Sequence, residues 1–124
     1  MSRRLKVFFD GGCRPNPGAM ELAVVAGGVT TILPDLGYGT SADAEWLALI
    51  QALTVAQSLG AADFVLLGDA LAVIGQANGT AKCPPASIRH LERFRALAPE
   101  PPSIRYIRRS QNLAGIALAR LHAR

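Results

Sequence analysis

Cysteines and long apolar runs are scarce in this sequence. Cys13 and Cys83 are the two cysteines among 124 residues. They are too few and too widely spaced for a disulfide framework or a zinc site, so we assign them no chemistry. No apolar run approaches the roughly 20 residues that cross a bilayer, and basic residues 3 and 4 lead into a strand rather than a signal-peptide core. We therefore expect a soluble, cytoplasmic protein.

Acidic residues are fewer than basic ones. Nine Asp and Glu side chains stand against thirteen Lys and Arg, and the net charge is +4. The excess is concentrated late in the chain, at Arg89, Arg93, Arg95, Arg105, Arg108, Arg109, Arg120 and Arg124. Arginine-rich surfaces suit phosphate groups, and therefore nucleic acid. An ordinary solvated surface with an arginine bias explains the same composition, because net charge concerns partners and not fold.

The order of strands and helices predicts an α/β fold, and we assign residues 1–124 to a single domain. Strands are predicted at residues 5–10, 21–25, 28–33, 62–67 and 103–108. Helices are predicted at residues 41–58, 70–77, 86–97 and 111–123, with Ser41 as the N-cap of the first and Gly60 as its stop. Strand–helix–strand crossovers join parallel neighbours. The sequence therefore predicts a mixed five-stranded sheet, three strands antiparallel and two parallel, with helices on its faces.

Asp10 follows an apolar strand and precedes a glycine-rich turn. By strand alternation it shares a face with Phe8 and lies where the predicted strand stops. A carboxylate at the end of a buried strand is costly unless positive charge lies beside it, so the position suits a metal or a substrate. The alternative is an aspartate that starts the turn by bonding its own backbone.

Two further carboxylates are predicted to lie near Asp10. Glu45 is on the apolar face of its helix, where compensation of the helix dipole alone would favour the polar face that Asp43 occupies. Asp69 ends a second buried strand, and ligands bind beyond the carboxyl ends of such strands. If the two strands are neighbours, the three carboxylates converge. Their repulsion is relieved by a divalent cation, and hard oxygen ligands favour Mg²⁺ or Mn²⁺.

Four motifs in this order resemble type 1 ribonuclease H. They are Asp10-Gly11-Gly12-Cys13-x-x-Asn16-Pro17-Gly18, Thr40-Ser41-x-x-x-Glu45-x-x-Ala48-Leu49, Asp69, and Arg109-x-x-Asn112 at the start of the last helix. The resemblance covers nearly the whole chain and implies the ribonuclease H-like fold. It also implies an endonuclease that cuts the RNA strand of RNA·DNA hybrids with two metal ions, leaving a 3′-hydroxyl and a 5′-phosphate.

The resemblance also implies roles for individual residues. The catalytic and metal-binding residues would be Asp10, Glu45 and Asp69, with Mg²⁺ or Mn²⁺ as cofactor. The residues that meet the RNA 2′-hydroxyls would be Gly11, Gly12 and Cys13 through backbone groups, together with Asn16. Thr40 and Ser41, at a helix N-terminus, would hold a phosphate of the DNA strand. The implied partner is an RNA·DNA hybrid and not a membrane.

One position departs from the family pattern. Family members usually carry a fourth carboxylate four residues after the asparagine, where this chain has Ile116, and residues 111–124 contain no acidic residue. A water would have to replace that ligand. Three hypotheses remain: a nuclease with a weakened site, a module that binds nucleic acid without cutting it, and a fold reused for protein interaction. His90 and His122 lie on helices away from these motifs, and we expect them to be structural.

Overall fold

Three antiparallel strands form one half of the sheet in the computed structural model, which describes residues 4–122. β1 (Leu5–Arg14) pairs with β2 (Gly18–Ala26), and β2 pairs with β3 (Val29–Leu33). Gly27 and Gly28 connect β2 to β3 with φ values of 57° and 78°, a region that residues with side chains rarely adopt. The three predicted strands are confirmed, and the first two are longer than predicted.

Two parallel strands and one short antiparallel strand complete the sheet. β4 (Tyr38–Gly39) pairs with the start of β2, β5 (Phe64–Gly68) runs parallel to β1, and β6 (Ser103–Tyr106) runs parallel to β5. The strand order is β3-β2-β1-β5-β6, with β4 attached to β2. This confirms the mixed sheet of the predicted α/β fold. β4 is not predicted, because two residues are too few to show alternation.

Helices cover both faces of the sheet, as predicted. They are α1 (Ser41–Ser58), α2 (Leu71–Asn78), α3 (Ile88–Leu97) and α4 (Leu113–His122). Successive side chains of β1 point to opposite faces, so Val7 and Phe9 pack in the core under α1, α2 and α3. Phe8 packs on the other face, against Ala114 and Leu118 of α4. Each face of β1 therefore contributes to a different core.

The first strand does not stop at Asp10, which corrects the prediction. β1 continues to Arg14 because the residues after Asp10 pair with β2, from Gly11 opposite Leu22 to Arg14 opposite Ala19. The parallel pairing of β1 with β5 does end early, at Phe8 opposite Leu67. Asp10 therefore lies where β1 loses its parallel neighbour and not where the strand ends.

The N-cap of α1 is Thr40 and not Ser41, a second correction. The Thr40 hydroxyl accepts a hydrogen bond from the Asp43 backbone N–H at 3.1 Å, and the Asp43 carboxylate accepts from the Thr40 backbone N–H at 3.0 Å. This reciprocal capping box satisfies two N–H groups, whereas Ser41 lacks a matching acidic residue three positions on. His90 of α3 donates to the same Asp43 carboxylate at 2.9 Å.

Several other boundaries move by a few residues. β6 ends at Tyr106 rather than at residue 108, and α4 begins at Leu113 after a 3₁₀ turn at Arg109–Gln111. A second 3₁₀ turn, Pro85–Ser87, precedes α3. The predicted end of α4 at residue 123 lies outside the described residues. Within residues 4–122, no helix has both the length and the apolar character needed to cross a membrane.

Candidate metal and nucleic-acid site

Three carboxylates converge at the edge of the sheet. Asp10 comes from β1, Glu45 from the first turns of α1, and Asp69 from the residue after β5. One oxygen of each lies within 4.8 Å of the others, and all three residues are partly buried. They line a cleft of about 570 Å³. The structure thus brings together the three acids expected from the sequence.

Gly11 allows α1 to approach β1 closely enough to deliver Glu45. A Cβ at residue 11 would lie 2.3 Å from the backbone carbonyl of Ala44, so only glycine fits there. The Gly11 backbone N–H donates to Oε1 of Glu45. The pairing of β1 with β5 has already ended at Gly11, so the Gly11 N–H faces the cleft. It orients the Glu45 carboxylate.

Asn112 joins α4 to β1 beside Asp10. Its side chain is fully buried, donates to the Phe9 carbonyl at 3.0 Å and accepts from the Ala114 backbone N–H at 3.1 Å. The second bond caps α4. One turn further on, a Cβ at Gly115 would lie 3.5 Å from Oδ2 of Asp10. The asparagine of the fourth sequence motif is therefore the residue that sets α4 against the acid site.

Burial and mutual repulsion raise the pKa of two of the acids. Asp10 has its pKa raised from 3.8 to about 7, first by burial and then by the charge of Asp69. Glu45 has its pKa raised from 4.5 to about 8, first by burial and then by the charge of Asp10, against the opposing effect of the Gly11 hydrogen bond. Near neutral pH the cluster therefore retains protons unless positive charge is supplied.

The donor set fits a hard divalent cation. Carboxylate oxygens are the ligands that Mg²⁺ and Mn²⁺ prefer. At Mg–O distances of about 2.0–2.1 Å, two oxygens on opposite sides of an ion are about 4.2 Å apart. The three carboxylate oxygens all lie within 4.8 Å of one another, which is compatible with a shared ion. Asp10, Glu45 and Asp69 could together hold such an ion.

Arginines flank the acids. Arg14 and Arg109 both line the cleft, and Nε of Arg109 is 3.9 Å from Oδ2 of Asp69, too far for a hydrogen bond. The Arg109 side chain is 94% exposed, so its guanidinium is accessible to a phosphate. The other arginines of the late excess that the structure describes are also exposed: Arg89, Arg93, Arg95, Arg105, Arg108 and Arg120. Arg124 lies outside the described residues.

Hydrogen bonds join residues assigned to RNA to residues assigned to the DNA strand. Asn16 donates to the Ser41 hydroxyl at 2.9 Å and accepts from the Ser41 backbone N–H at 3.0 Å. Cys13 Sγ lies 3.2 Å from the Gly39 carbonyl. The N–H and hydroxyl of Thr40 both donate to Asp43, so its groups are already engaged. The lining of the cleft includes Ser41, which leaves this hydroxyl as the better placed donor.

The sequence does not predict the position of two residues beside the acids, Glu21 and His122. Glu21 of β2 lines the cleft, and its Oε2 lies 2.6 Å from Nε2 of His122. His122 therefore lies closer to the motifs than expected. A signal was available, since Glu21 is the one charged residue within β2 (GAMELAVVA). On α4 the cleft is lined by Gly115, Leu118 and Ala119, while Ile116 is half-buried.

Known proteins share this architecture. A family model described as reverse transcriptase-like matches residues 20–122. The chain is 29% identical to RNase H1 of the halophilic archaeon Halobacterium salinarum NRC-1, with a TM-score of 0.84 over 98% of this chain and 100% of that one. The chain belongs to the ribonuclease H-like family. The family model begins after β1, so the agreement around Asp10 rests on the structural match.

Two other solved structures agree with this ribonuclease H-like assignment. The N-terminal RNase H domain of a Mycobacterium tuberculosis protein is 26% identical, with a TM-score of 0.78 over 99% of this chain and 100% of that one. LC11-RNase H1, solved in complex with an RNA/DNA hybrid, is 23% identical, with a TM-score of 0.80 over 89% of each chain. The latter supports the fold alone. No curated protein sequence matches the chain.

Proposed function

We propose that this ribonuclease H-like protein is a metal-dependent endonuclease that cuts the RNA strand of RNA·DNA hybrids. The observation that carries the proposal is the convergence of Asp10, Glu45 and Asp69 within 4.8 Å at one cleft. Family membership supports it, as does the likeness to RNase H1 of Halobacterium salinarum NRC-1 over 98% of this chain. The exposed arginines beside the cleft supply the positive surface that a nucleic acid needs.

The side chains around the cleft divide the work of hydrolysis. Asp10, Glu45 and Asp69 would hold Mg²⁺ or Mn²⁺, which supplies Lewis-acid chemistry at the scissile phosphate. The Gly11 N–H holds the Glu45 carboxylate at the cleft, where it would bind the ion, and Asn112 joins α4 to β1. Attack of water on phosphorus then breaks the bond to the 3′-oxygen, which leaves a 3′-hydroxyl and a 5′-phosphate.

We assign substrate choice to the end of the β1–β2 hairpin and to the N-terminus of α1, which it contacts. We propose that Asn16 and the backbone of Gly11, Gly12 and Cys13 contact the RNA strand, where 2′-hydroxyls are present. The Ser41 hydroxyl, fixed by its bond to Asn16, would hold a phosphate of the DNA strand. Thr40 would act there as the helix cap. The hydrogen bonds between Asn16 and Ser41 would let one continuous surface contact both strands.

The test is a cleavage assay on a labelled RNA·DNA hybrid in Mg²⁺ and, separately, in Mn²⁺. Wild-type protein is compared with Asp10→Asn, and a DNA duplex of the same sequence serves as the substrate control. We expect cuts in the RNA strand only, and a loss of at least about a hundredfold in Asp10→Asn, since metal-assisted catalysis contributes several kcal/mol. Equal cleavage by both proteins would place the active site elsewhere.

A second candidate function is binding of the hybrid without cleavage. It is favoured by the side of the cleft that α4 forms. The α4 residues that line the cleft are Gly115, Leu118 and Ala119, and none of them is acidic. This module would bind the hybrid in a salt-sensitive way, because phosphate contacts release counterions. Retained binding with no product in either metal would support it.

A further inference from the structure

Glu21 and His122 form a hydrogen-bonded pair at the cleft for which the proposed mechanism has no role. Glu21 lies in the middle of β2, and its side chain is only 15% exposed. Nε2 of His122, in the last turn of α4, is 2.6 Å from its Oε2. An ionised carboxylate only accepts hydrogen bonds, so the imidazole donates. The histidine engages one carboxylate oxygen, and the other can accept from water.

The strand register places Glu21 on the same face of the sheet as Asp10. Glu21 is directly opposite Gly12, and Asp10 is directly opposite Ala23. Residues two apart on a strand share a face, so Asp10 and Glu21 are diagonal neighbours, which in antiparallel pairs are about 7–8 Å apart and within reach of long side chains. Both line the cleft. The two carboxylates therefore face one space.

Gly12 keeps that space open. A Cβ at residue 12 would lie 3.1 Å from Oε2 of Glu21, tighter than ordinary contact. Because Gly12 has no side chain, it leaves room beside the Glu21 carboxylate. The glycine that the family resemblance assigns to RNA contact thus also gives Glu21 its position.

The charges at the cleft favour a cation near Glu21. Four carboxylates and two arginines line it, although the protein as a whole carries a net charge of +4. A fourth partly buried acid among three others raises the repulsion unless a cation is bound. On this side of the cleft α4 contributes Gly115, Leu118 and Ala119, so Glu21 is the acid that the α4 side otherwise lacks.

We propose that Glu21 is the fourth acidic residue of this site, a positioning residue that is held by His122 and acts through a water on a cation bound by Asp10, Glu45 and Asp69. The inference rests on the proposed function and adds a residue to it. Partners of this kind, which orient the immediate ligands of a metal, typically change metal affinity by about 10–100-fold when removed.

The test is direct titration of Mn²⁺ alone into metal-free protein, followed by calorimetry or by the electron paramagnetic resonance signal of free Mn²⁺. Wild-type protein is compared with Glu21→Gln, with Asp10→Asn, and with Glu92→Gln, which removes the same charge from an exposed position on α3. We expect about a tenfold loss of Mn²⁺ affinity in Glu21→Gln. Binding in Glu92→Gln should equal wild type, and Asp10→Asn should lose it.

Thermal unfolding of the same metal-free proteins separates this role from a structural one. If the Glu21–His122 pair only anchors α4, Glu21→Gln should unfold at a lower temperature but bind Mn²⁺ as tightly as wild type. That result would overturn the inference. The proposed function would still be supported by the loss of Mn²⁺ binding in Asp10→Asn. A wild-type protein that binds no Mn²⁺ overturns both. If Glu21→Gln does not fold, Glu21→Asp keeps the charge on a shorter side chain, and we expect it to bind Mn²⁺ more weakly than wild type.

Discussion

The two helices that flank the cleft contribute unequally to it. α1 delivers a carboxylate, Glu45, and the neighbouring strand orients it through the Gly11 N–H. α4 also packs on β1, anchored by Asn112, but presents small and apolar residues to the cleft. The acid on that side, Glu21, belongs to β2. Close helix–strand packing therefore places both walls, while the residue type at each position decides which wall can bind a cation.

The largest expected effect comes from Gly11→Ala, which adds a side chain where α1 packs closely on β1. The added Cβ would lie 2.3 Å from the Ala44 carbonyl, so α1 must move. We expect a loss of about 3 kcal/mol in unfolding free energy, the upper part of the range for overpacking, measured by urea denaturation.

Gly115→Ala is the matched control on the α4 wall. Its Cβ would meet Asp10 at an ordinary 3.5 Å, and alanine is favoured over glycine within a helix by about 0.5–1 kcal/mol. We expect stability equal to or above wild type. Equal losses of unfolding free energy in Gly11→Ala and Gly115→Ala would contradict the tighter packing of α1 on β1.

Asn112→Ala tests the anchor of α4. The change removes a buried donor to the Phe9 carbonyl and the cap of the helix. We expect about 2 kcal/mol of destabilisation, since a buried carbonyl left without a partner costs about 1–3 kcal/mol. Hydrogen exchange should show α4 losing protection before β1 does. A change confined to α1 would contradict this role.

The pH dependence of metal-free stability reports on the acids. Asp10 has its folded pKa raised to about 7 and Glu45 to about 8, both above their ordinary values. Their contribution to stability is complete below about pH 4 and is lost as pH rises through 7 and 8. We expect the unfolding free energy in EDTA to fall between pH 5 and pH 8, because each unit of pKa shift corresponds to about 1.4 kcal/mol.

Asp10→Asn should flatten that decline, because one of the two titrating acids is gone. Adding Mg²⁺ at pH 8 should restore stability in wild-type protein and not in the variant. The same decline in both proteins would mean that other groups cause it.

The smallest expected effect is a gain from placing an acid on the α4 wall. If the missing ligand limits the rate, Ile116→Asp should raise cleavage by about tenfold, equivalent to about 1.4 kcal/mol. Leu113→Asp, at an exposed position on the same helix, is the charge control. No gain in Ile116→Asp would show that α4 does not limit catalysis.

Much of the fold follows from local patterns in the sequence. Alternation and turn residues locate the long strands, and the apolar face of α1 correctly places Glu45 towards the sheet. The end of β1 is mispredicted because residues 11–14 pair with β2, while the local glycine and proline signals indicate a turn. The N-cap of α1 is mispredicted although its signal is local, since Thr40 and Asp43 form a capping box three residues apart.

The sequence by itself determined the three acids, the order of the elements that carry them and the lack of an acid in α4. Those features depend on residue identity and on the periods of helix and strand, which are local. Only the tertiary structure decided that Asp10 lies beyond the last residue of β1 that pairs with β5. It also decided that α1 approaches β1 closely at Gly11, and that Glu21 and His122 meet at the same cleft. Contacts between residues 21 and 122 arise from packing across the sheet, which no local pattern encodes.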